Sequence, residues 1–191
     1  MDLKESINYI IQQRRAIFPV CYTGEKVDDE IIKNILQNAN WAPTHKKTEP
    51  WRFIVFSENG LIELSEFSSK AYRTHVSPDK YSEVKFNKTK EKVLKASHVI
   101  AIIMKRHEDL LPEWEEIASV ACAVQNMWLT CTAYGLGSYW STPLYLNNES
   151  QYFGLELDQK CLGLFYVGVP KKGLEFQGDR ADISDKVIWR K

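Results

Sequence analysis

Trp41-Ala42-Pro43-Thr44-His45-Lys46-Lys47-Thr48-Glu49-Pro50-Trp51-Arg52-Phe53-Ile54-Val55-Phe56 is the stretch in which this chain passes from a helix into a strand. Pro43 disfavours the helical conformation at Ala42, so the preceding helix is expected to stop there; Pro50 pushes Glu49 toward an extended conformation just before the apolar run. That run, Trp51 to Phe56, is nearly continuous in apolar and aromatic residues. It reads as a strand buried on both faces and places the central sheet here. Between the prolines a short polar turn gathers a hydroxyl, an imidazole and two ammonium groups in Thr44, His45, Lys46 and Lys47. Such a density of donors suits an anionic or hydrogen-bonding ligand, and it equally suits a solvated basic loop.

Upstream, Leu3, Ile7, Ile10 and Ile11 recur at helical spacing and predict an amphipathic helix ending near Arg14 or Arg15, before Pro19. Cations at a helix C-terminus are favoured by the helix dipole, which alone accounts for the arginine pair, although a guanidinium can also hold a phosphate through two parallel hydrogen bonds. Asp28 is a plausible N-cap for a second helix whose apolar face is Ile31, Ile32, Ile35, Leu36 and Ala39. This helix delivers the polar turn.

Downstream, Leu61, Leu64 and Phe67 predict a short helix after Asn59-Gly60. A lysine-rich helix follows over about residues 85–95, and its alternating charges read as a solvated face. Val99 to Met104 has the length and branching of a second buried strand. Pro112 with Glu113, Glu115 and Glu116 marks the start of a long helix running to Gly135. Its apolar residues, from Ala118 to Leu129, cover most of its circumference, as expected of a helix at a dimer interface.

Gly135-Leu-Gly-Ser-Tyr-Trp-Ser-Thr-Pro143 has two glycines able to bring backbone close to a ligand, but it lacks the third glycine and the helix of the dinucleotide fingerprint. The spacing favours a helix stop feeding a strand. Asn148 or Ser150 is expected to begin a short helix ended by Gly154, and Leu162 to Gly168 to form a further buried strand. The apolar Val187, Ile188 and Trp189 would be anomalous in a free tail, so the tail is expected to dock, a partner subunit being one surface open to it.

The 191 residues, 44% of them hydrophobic, suffice for one core, and residues 1–191 are read as one domain. With 25 basic and 25 acidic residues the formal net charge is zero, which removes the long-range attraction that nucleic-acid and membrane-surface binders use. No signal peptide or spanning run is legible, so the chain reads as cytoplasmic. Cys21, Cys122, Cys131 and Cys161 form no Cys-x-x-Cys pair, and the four histidines show no paired ligand spacing. Neither structural disulfides nor a metal site is expected.

Taken together, Arg14-Arg15 after a first helix, Ala-Pro-Thr-x-x-Lys-x-Glu-Pro-Trp before a strand, Gly-x-Gly-x-x-Trp-x-Thr after a long helix and Gly-Val-Pro near the end resemble the nitroreductase family, most of all its small bacterial branch. The order and spacing span nearly the whole chain. The resemblance implies an α+β fold, with a mostly antiparallel sheet flanked by helices, and an intertwined homodimer with FMN at its interface. It implies an enzyme that takes a hydride from NADH or NADPH onto the flavin and then reduces a small acceptor such as a nitroaromatic or a quinone, by a ping-pong cycle. The alternative is a flavin-binding or storage protein without turnover. Protein side chains would then bind and orient while the flavin carries the chemistry, so no catalytic dyad is expected.

Carried over by position, Arg14 would hold the FMN phosphate, Arg15 the ribityl or pyrimidine side, and Ala16 would contribute its backbone. Trp41, Pro43, Thr44, His45 and Lys47 would approach the flavin from the polar turn. Tyr139, Trp140, Ser141 and Thr142 would come from the loop after the long helix, with Arg180 as a further phosphate ligand. The sequence departs from the family pattern at Ala16, where serine is common, and at Lys47 and Glu49, where asparagine and glutamine are usual.

Overall fold

A computed structural model describes residues 2–143, 145–146 and 149–191. Four strands form one antiparallel sheet in the order β1-β2-β4-β3: β1 Trp51–Phe56, β2 His98–Lys105, β3 Gly137–Ser141 and β4 Gln159–Gly168. Among the described residues five α-helices surround it: α1 Leu3–Gln13, α2 Asp29–Ala39, α3 Asn59–His75, α4 Glu83–Leu94 and α5 Glu113–Ala133. The architecture is α+β with an antiparallel sheet, as the sequence implied.

Alternation along β2 divides the core. Ile100, Ile102 and Met104 point to one face and pack with Ile35 and Ala39 of α2 and with Val120, Val124 and Met127 of α5. Val99, Ala101 and Ile103 point to the other and meet Leu61 and Leu64 of α3 and Val93 of α4. Each fully buried Val, Ile, Leu or Met among them contributes roughly 1.5–3 kcal/mol of transfer free energy, so β2 is the main hydrophobic anchor of both layers.

β1 is not the strand at the centre. It lies at an edge of the sheet, only Trp51 is buried along it, and Val55 is exposed. Its apolar run therefore presents an unpaired backbone edge and a partly bare face, a surface that isolated proteins ordinarily protect. α3 is also longer than its apolar spacing suggested, running 17 residues to His75. Its buried face includes Ser65, Ser68 and Ser69, polar residues that an apolar-periodicity reading passes over.

Asp2 and Glu5 close a capping box at the start of α1, whose apolar face stays open: Leu3 is 90% exposed, and Ile7 and Ile11 are about half exposed. The long helix α5 opens at Pro112 and buries Val120, Ala123, Val124, Met127 and Cys131, while Trp114 and Ile117 remain in solvent. At its end Gly135 takes a left-handed conformation, the helix stop read from the sequence, and β3 follows at once. Ser150 begins hydrogen-bonded turns rather than a helix, closed by Gly154 in a left-handed conformation; Asn148 lies outside the described residues. None of the described helices is long and apolar enough to cross a membrane.

Candidate functional site

Three guanidinium groups meet where α1 ends. Arg14 caps α1 and lays its guanidinium over the Trp128 ring of α5, 4.7 Å from the centroid. Arg15 donates from Nε to the Phe176 carbonyl at 3.0 Å, and its own carbonyl accepts the Trp128 indole N–H at 3.0 Å. The backbone of Gly178 runs against the Arg15 guanidinium, where a side chain would collide. This packing leads the C-terminal segment back to Arg180. Burial, and then the charges of Arg180 and Arg15, push the Arg14 guanidinium below its ordinary pKa. Among the described residues none of the three arginines has an ion-pair partner. Like charges held together without counterions are unfavourable in an empty protein and favourable around a bound phosphate.

The segment after the arginines is tied to β3. Ile17 N–H donates to the Ser138 carbonyl at 2.9 Å, and the Phe18 ring lies 4.4 Å from that of Tyr139. Ala16 is exposed between them. The segment after the arginines thus lies along the first half of β3, with Ser141 and Thr142 at the far end of the strand. Trp140 is committed structurally: its indole donates to the Leu162 carbonyl at 3.2 Å, at the irregularity where β4 slips register against β2 around Gly163. Ser141 Oγ accepts from Lys92 Nζ at 3.0 Å, and Thr142 is exposed just beyond the strand.

The polar turn is a second centre. Lys46, Lys47 and Glu49 all have positive φ, between 43° and 55°. Glu49 is thus not extended: the Thr44 hydroxyl accepts its N–H at 3.0 Å and holds it in the left-handed region, overriding the preference that Pro50 imposes. Thr48 bonds Thr44 and the His45 carbonyl, closing the turn on itself. Two further contacts fasten it to the start of α5: His45 Nδ1 to Glu115 at 2.6 Å, and Lys46 Nζ to the Leu110 carbonyl at 2.9 Å. That region is itself fixed by Glu116, fully buried against Arg106 and His107. Lys47 forms no side-chain ion pair or hydrogen bond among the described residues, and Trp41, before the turn, is 78% exposed.

One protomer does not join the two centres. Glu115, which holds the turn, and Trp128, which holds Arg14, are both on α5 and separated by roughly 20 Å at the helical rise per residue. The turn enters β1 at one edge of the sheet while Tyr139 to Ser141 form the other, three strand spacings or about 14 Å away. Arg14, Arg15, Ala16 and Arg180 gather at the end of α1 and are linked through Ile17 and Phe18 to Ser138 and Tyr139. Trp140 packs in the layer of α5, Tyr139 in the layer of α3 and α4, and Ser141 and Thr142 stand at the far end of β3, while Trp41, Pro43, Thr44, His45 and Lys47 lie on or just before the turn.

Two features escaped the sequence reading. Gly137 does not admit a ligand: a Cβ there would stand 2.6 Å from Tyr22 Cε1, and the Tyr22 ring fills that space. Lys92, read as one more lysine on a solvated helix, is half-buried, with Nζ 4.7 Å from the Tyr166 ring centroid. Burial pushes its ammonium down to about 8. Its place three residues after Thr89 and seven after Lys85 was the only available signal, a short polar stripe on one helical face.

A family model described as the Nitroreductase family matches residues 11–169, from the end of α1 to the close of β4. The chain belongs to the Nitroreductase family. As a nitroreductase-family protein it is similar to YfhC of Bacillus subtilis, whose name marks it provisionally as an NAD(P)H nitroreductase. The two are 28% identical over 180 residues, covering 93% of this chain and 90% of the relative. The same fold occurs in a nitroreductase-like family protein from Bacillus cereus, with a TM-score of 0.81 at 23% identity, covering 100% of this chain and 98% of that one. The FMN-dependent nitroreductase NfnB of Mycobacterium smegmatis, solved in complex with NADPH, matches with a TM-score of 0.74 at 19% identity over the full length of both chains.

Proposed function

We propose that this nitroreductase-family protein is an FMN-dependent oxidoreductase that draws a hydride from NADH or NADPH and passes the electrons to a small acceptor such as a nitroaromatic or quinone, in a ping-pong cycle. The observation that carries the reading is the cluster of Arg14, Arg15 and Arg180, three guanidiniums converging without carboxylates at the end of α1, next to the segment bonded to the start of β3. A phosphate ester fits that donor set, and the aromatic and hydroxyl groups of Tyr139, Ser141 and Thr142 suit the remainder of a flavin. Bound flavin supplies the hydride and electron transfer, while the residues of this chain hold its phosphate, orient its ring and set the field around it.

The separation of the two centres supports a homodimer in which the turn of one copy completes the site begun by the arginines of the other. The bare apolar face of α1, the exposed Trp114 and Ile117 of α5, the open edge of β1 and the tail residues Ile188 and Trp189 supply the area such an association requires. In this reading residues 1–191 act as one flavin-binding unit, and His45, Lys47 and Trp41 face the flavin across the interface.

The deciding experiment is an absorption spectrum of the purified protein, release and identification of any flavin, and its ratio to protein, followed by rapid mixing with NADPH and NADH. FMN near one per chain, bleached by either nucleotide, is the expected result. Bound FMN that resists both nucleotides would leave a flavin-storage role, and failure to bind added FMN would end the proposal.

A further inference from the structure

Lys92 forms part of a cavity of about 590 Å³ between the end of α3, one face of α4 and the exit of β3. Lys85, Thr89 and Lys92 line it from α4, Tyr72 from α3, and Thr142 and Tyr145 from beyond β3. The groups are distributed by kind. The ammonium groups of Lys85 and Lys92 and the hydroxyls of Thr142 and Tyr145 supply donors, the Thr89 hydroxyl being spent on the Lys85 carbonyl at 2.8 Å, and the aromatic rings supply flat apolar walls suited to a planar molecule.

Charge makes the site directional. Lys92 has no ion-pair partner among the described residues; its neighbours are the Ser141 hydroxyl at 3.0 Å and the rings of Tyr166 and Tyr139 at 4.7 and 5.4 Å. Lys85 likewise lies over an aromatic ring, that of Tyr72, at 5.2 Å. His75, the remaining basic group of the cavity, is already engaged by Glu149 at 2.7 Å. An ammonium withdrawn from water and met only by a hydroxyl and ring faces is under-compensated, and burial lowers its pKa accordingly. A ligand anion would supply the missing charge, with two donor positions of Lys92 still available beyond its bond to Ser141.

We propose that this cavity is a subsite for the anionic end of a planar aromatic acceptor, a carboxylate on an aromatic ring, with Lys92 as the principal cation and Lys85 as the second. The inference rests on the flavin reading only in calling that ligand an acceptor. Thr142 lines the cavity while Ser141, its neighbour in sequence, accepts from Lys92, so an anion held there stands next to the segment assigned to the flavin. Selectivity would follow from charge: an aromatic acid gains the ion pair, and its uncharged amide does not.

Binding of benzoate and of benzamide to the purified full chain, by titration calorimetry, tests the site without turnover. The result expected is benzoate binding at least ~10-fold tighter than benzamide, lost in Lys92→Met and retained in Lys92→Arg, the loss expected when one charge-assisted hydrogen bond disappears. In parallel, benzoate should protect Lys92 of the wild-type chain from reductive methylation, read by mass spectrometry, which makes the outcome independent of how any variant folds. Equal affinity for the two probes, or methylation of Lys92 unaffected by saturating benzoate, overturns the proposal. The kcat/KM ratio of 4-nitrobenzoate to nitrobenzene should also fall ~10-fold in Lys92→Met. A protein that binds benzoate at Lys92 but takes up no flavin would refute the oxidoreductase reading and leave the anion site standing; a flavoenzyme indifferent to benzoate would do the reverse.

Discussion

The ring of Tyr22 occupies the space that a side chain on Gly168 would take. A Cβ added to Gly168 would collide with three atoms of that ring, and one added to Gly137 would approach Tyr22 Cε1 to 2.6 Å. Tyr22 is 2% exposed and donates its hydroxyl to the Ile17 carbonyl at 2.8 Å, so the ring clamps the post-arginine segment onto β3 and β4. Gly168→Ala is therefore expected to destabilise the fold by about 1–3 kcal/mol, the usual range for overpacking a tight interior. Urea denaturation would show it, and an unchanged midpoint would mean that Tyr22 moves aside at no cost.

Loss of the Arg14 guanidinium should weaken the proposed flavin site before it weakens the fold. Hydrogen bonds to charged groups contribute on the order of 1.5–3 kcal/mol, so Arg14→Ala is expected to reduce FMN affinity ~10- to 100-fold, and the double change with Arg15→Ala to abolish retention. Fluorescence titration with FMN measures this directly. Full FMN affinity in the double variant would contradict a phosphate role for the pair.

Glu116 has no exposed surface and faces Arg106 and His107. Glu116→Gln leaves the guanidinium buried with a neutral partner and is expected to cost roughly 3–5 kcal/mol, whereas the double replacement Arg106→Met with Glu116→Leu should recover most of that loss. Since Lys46 reaches the Leu110 carbonyl in the adjoining loop, hydrogen exchange in the 44–49 turn should rise in the single variant. Slow exchange there would show that the turn is held without the buried pair.

A buried and a half-buried base set the pH response, with the same sign. His98 is 2% exposed, bonded to Ser97 and near Asp29, and desolvation holds its pKa below the ordinary value despite the attraction of that carboxylate. The unfolded chain then binds more protons as pH falls below about 6.5, so stability present above that value is lost on acidification. At the alkaline side Lys92 releases its proton near 8 in the folded chain, against an ordinary value of 10.5, so stability rises with pH between those limits. Urea midpoints measured across pH should show both limbs, the acid one flattened in His98→Gln and the alkaline one in Lys92→Met. A wild-type alkaline limb that survives in Lys92→Met would assign it to another group.

Removal of residues 183–191, which carries away the exposed Ile188 and Trp189, should shift the chain toward monomer in sedimentation velocity and lower FMN occupancy with it. Unaltered dimerisation would move the interface to α1, α5 and β1 alone.

Periodicity along the chain sufficed for α2, α5, β2 and β4, because each buries a repeating apolar stripe against the core, and for α1, whose equally regular stripe stays open. The arginine pair, the turn between Pro43 and Pro50 and the loop after α5 were likewise legible as chemistry, since their residue types and order carry the family resemblance. Tertiary structure alone decided the rest. It put β1 at an edge, because strand order depends on pairing between segments distant in sequence; it gave Gly137 and Gly168 to the Tyr22 ring, a contact between residues more than a hundred positions apart. It also withdrew Lys92 from a helix face that looks solvated, because whether a lysine is wet is settled by the strand that packs over it. Charge and periodicity are properties of neighbours along the chain, whereas strand order and desolvation are properties of neighbours in space.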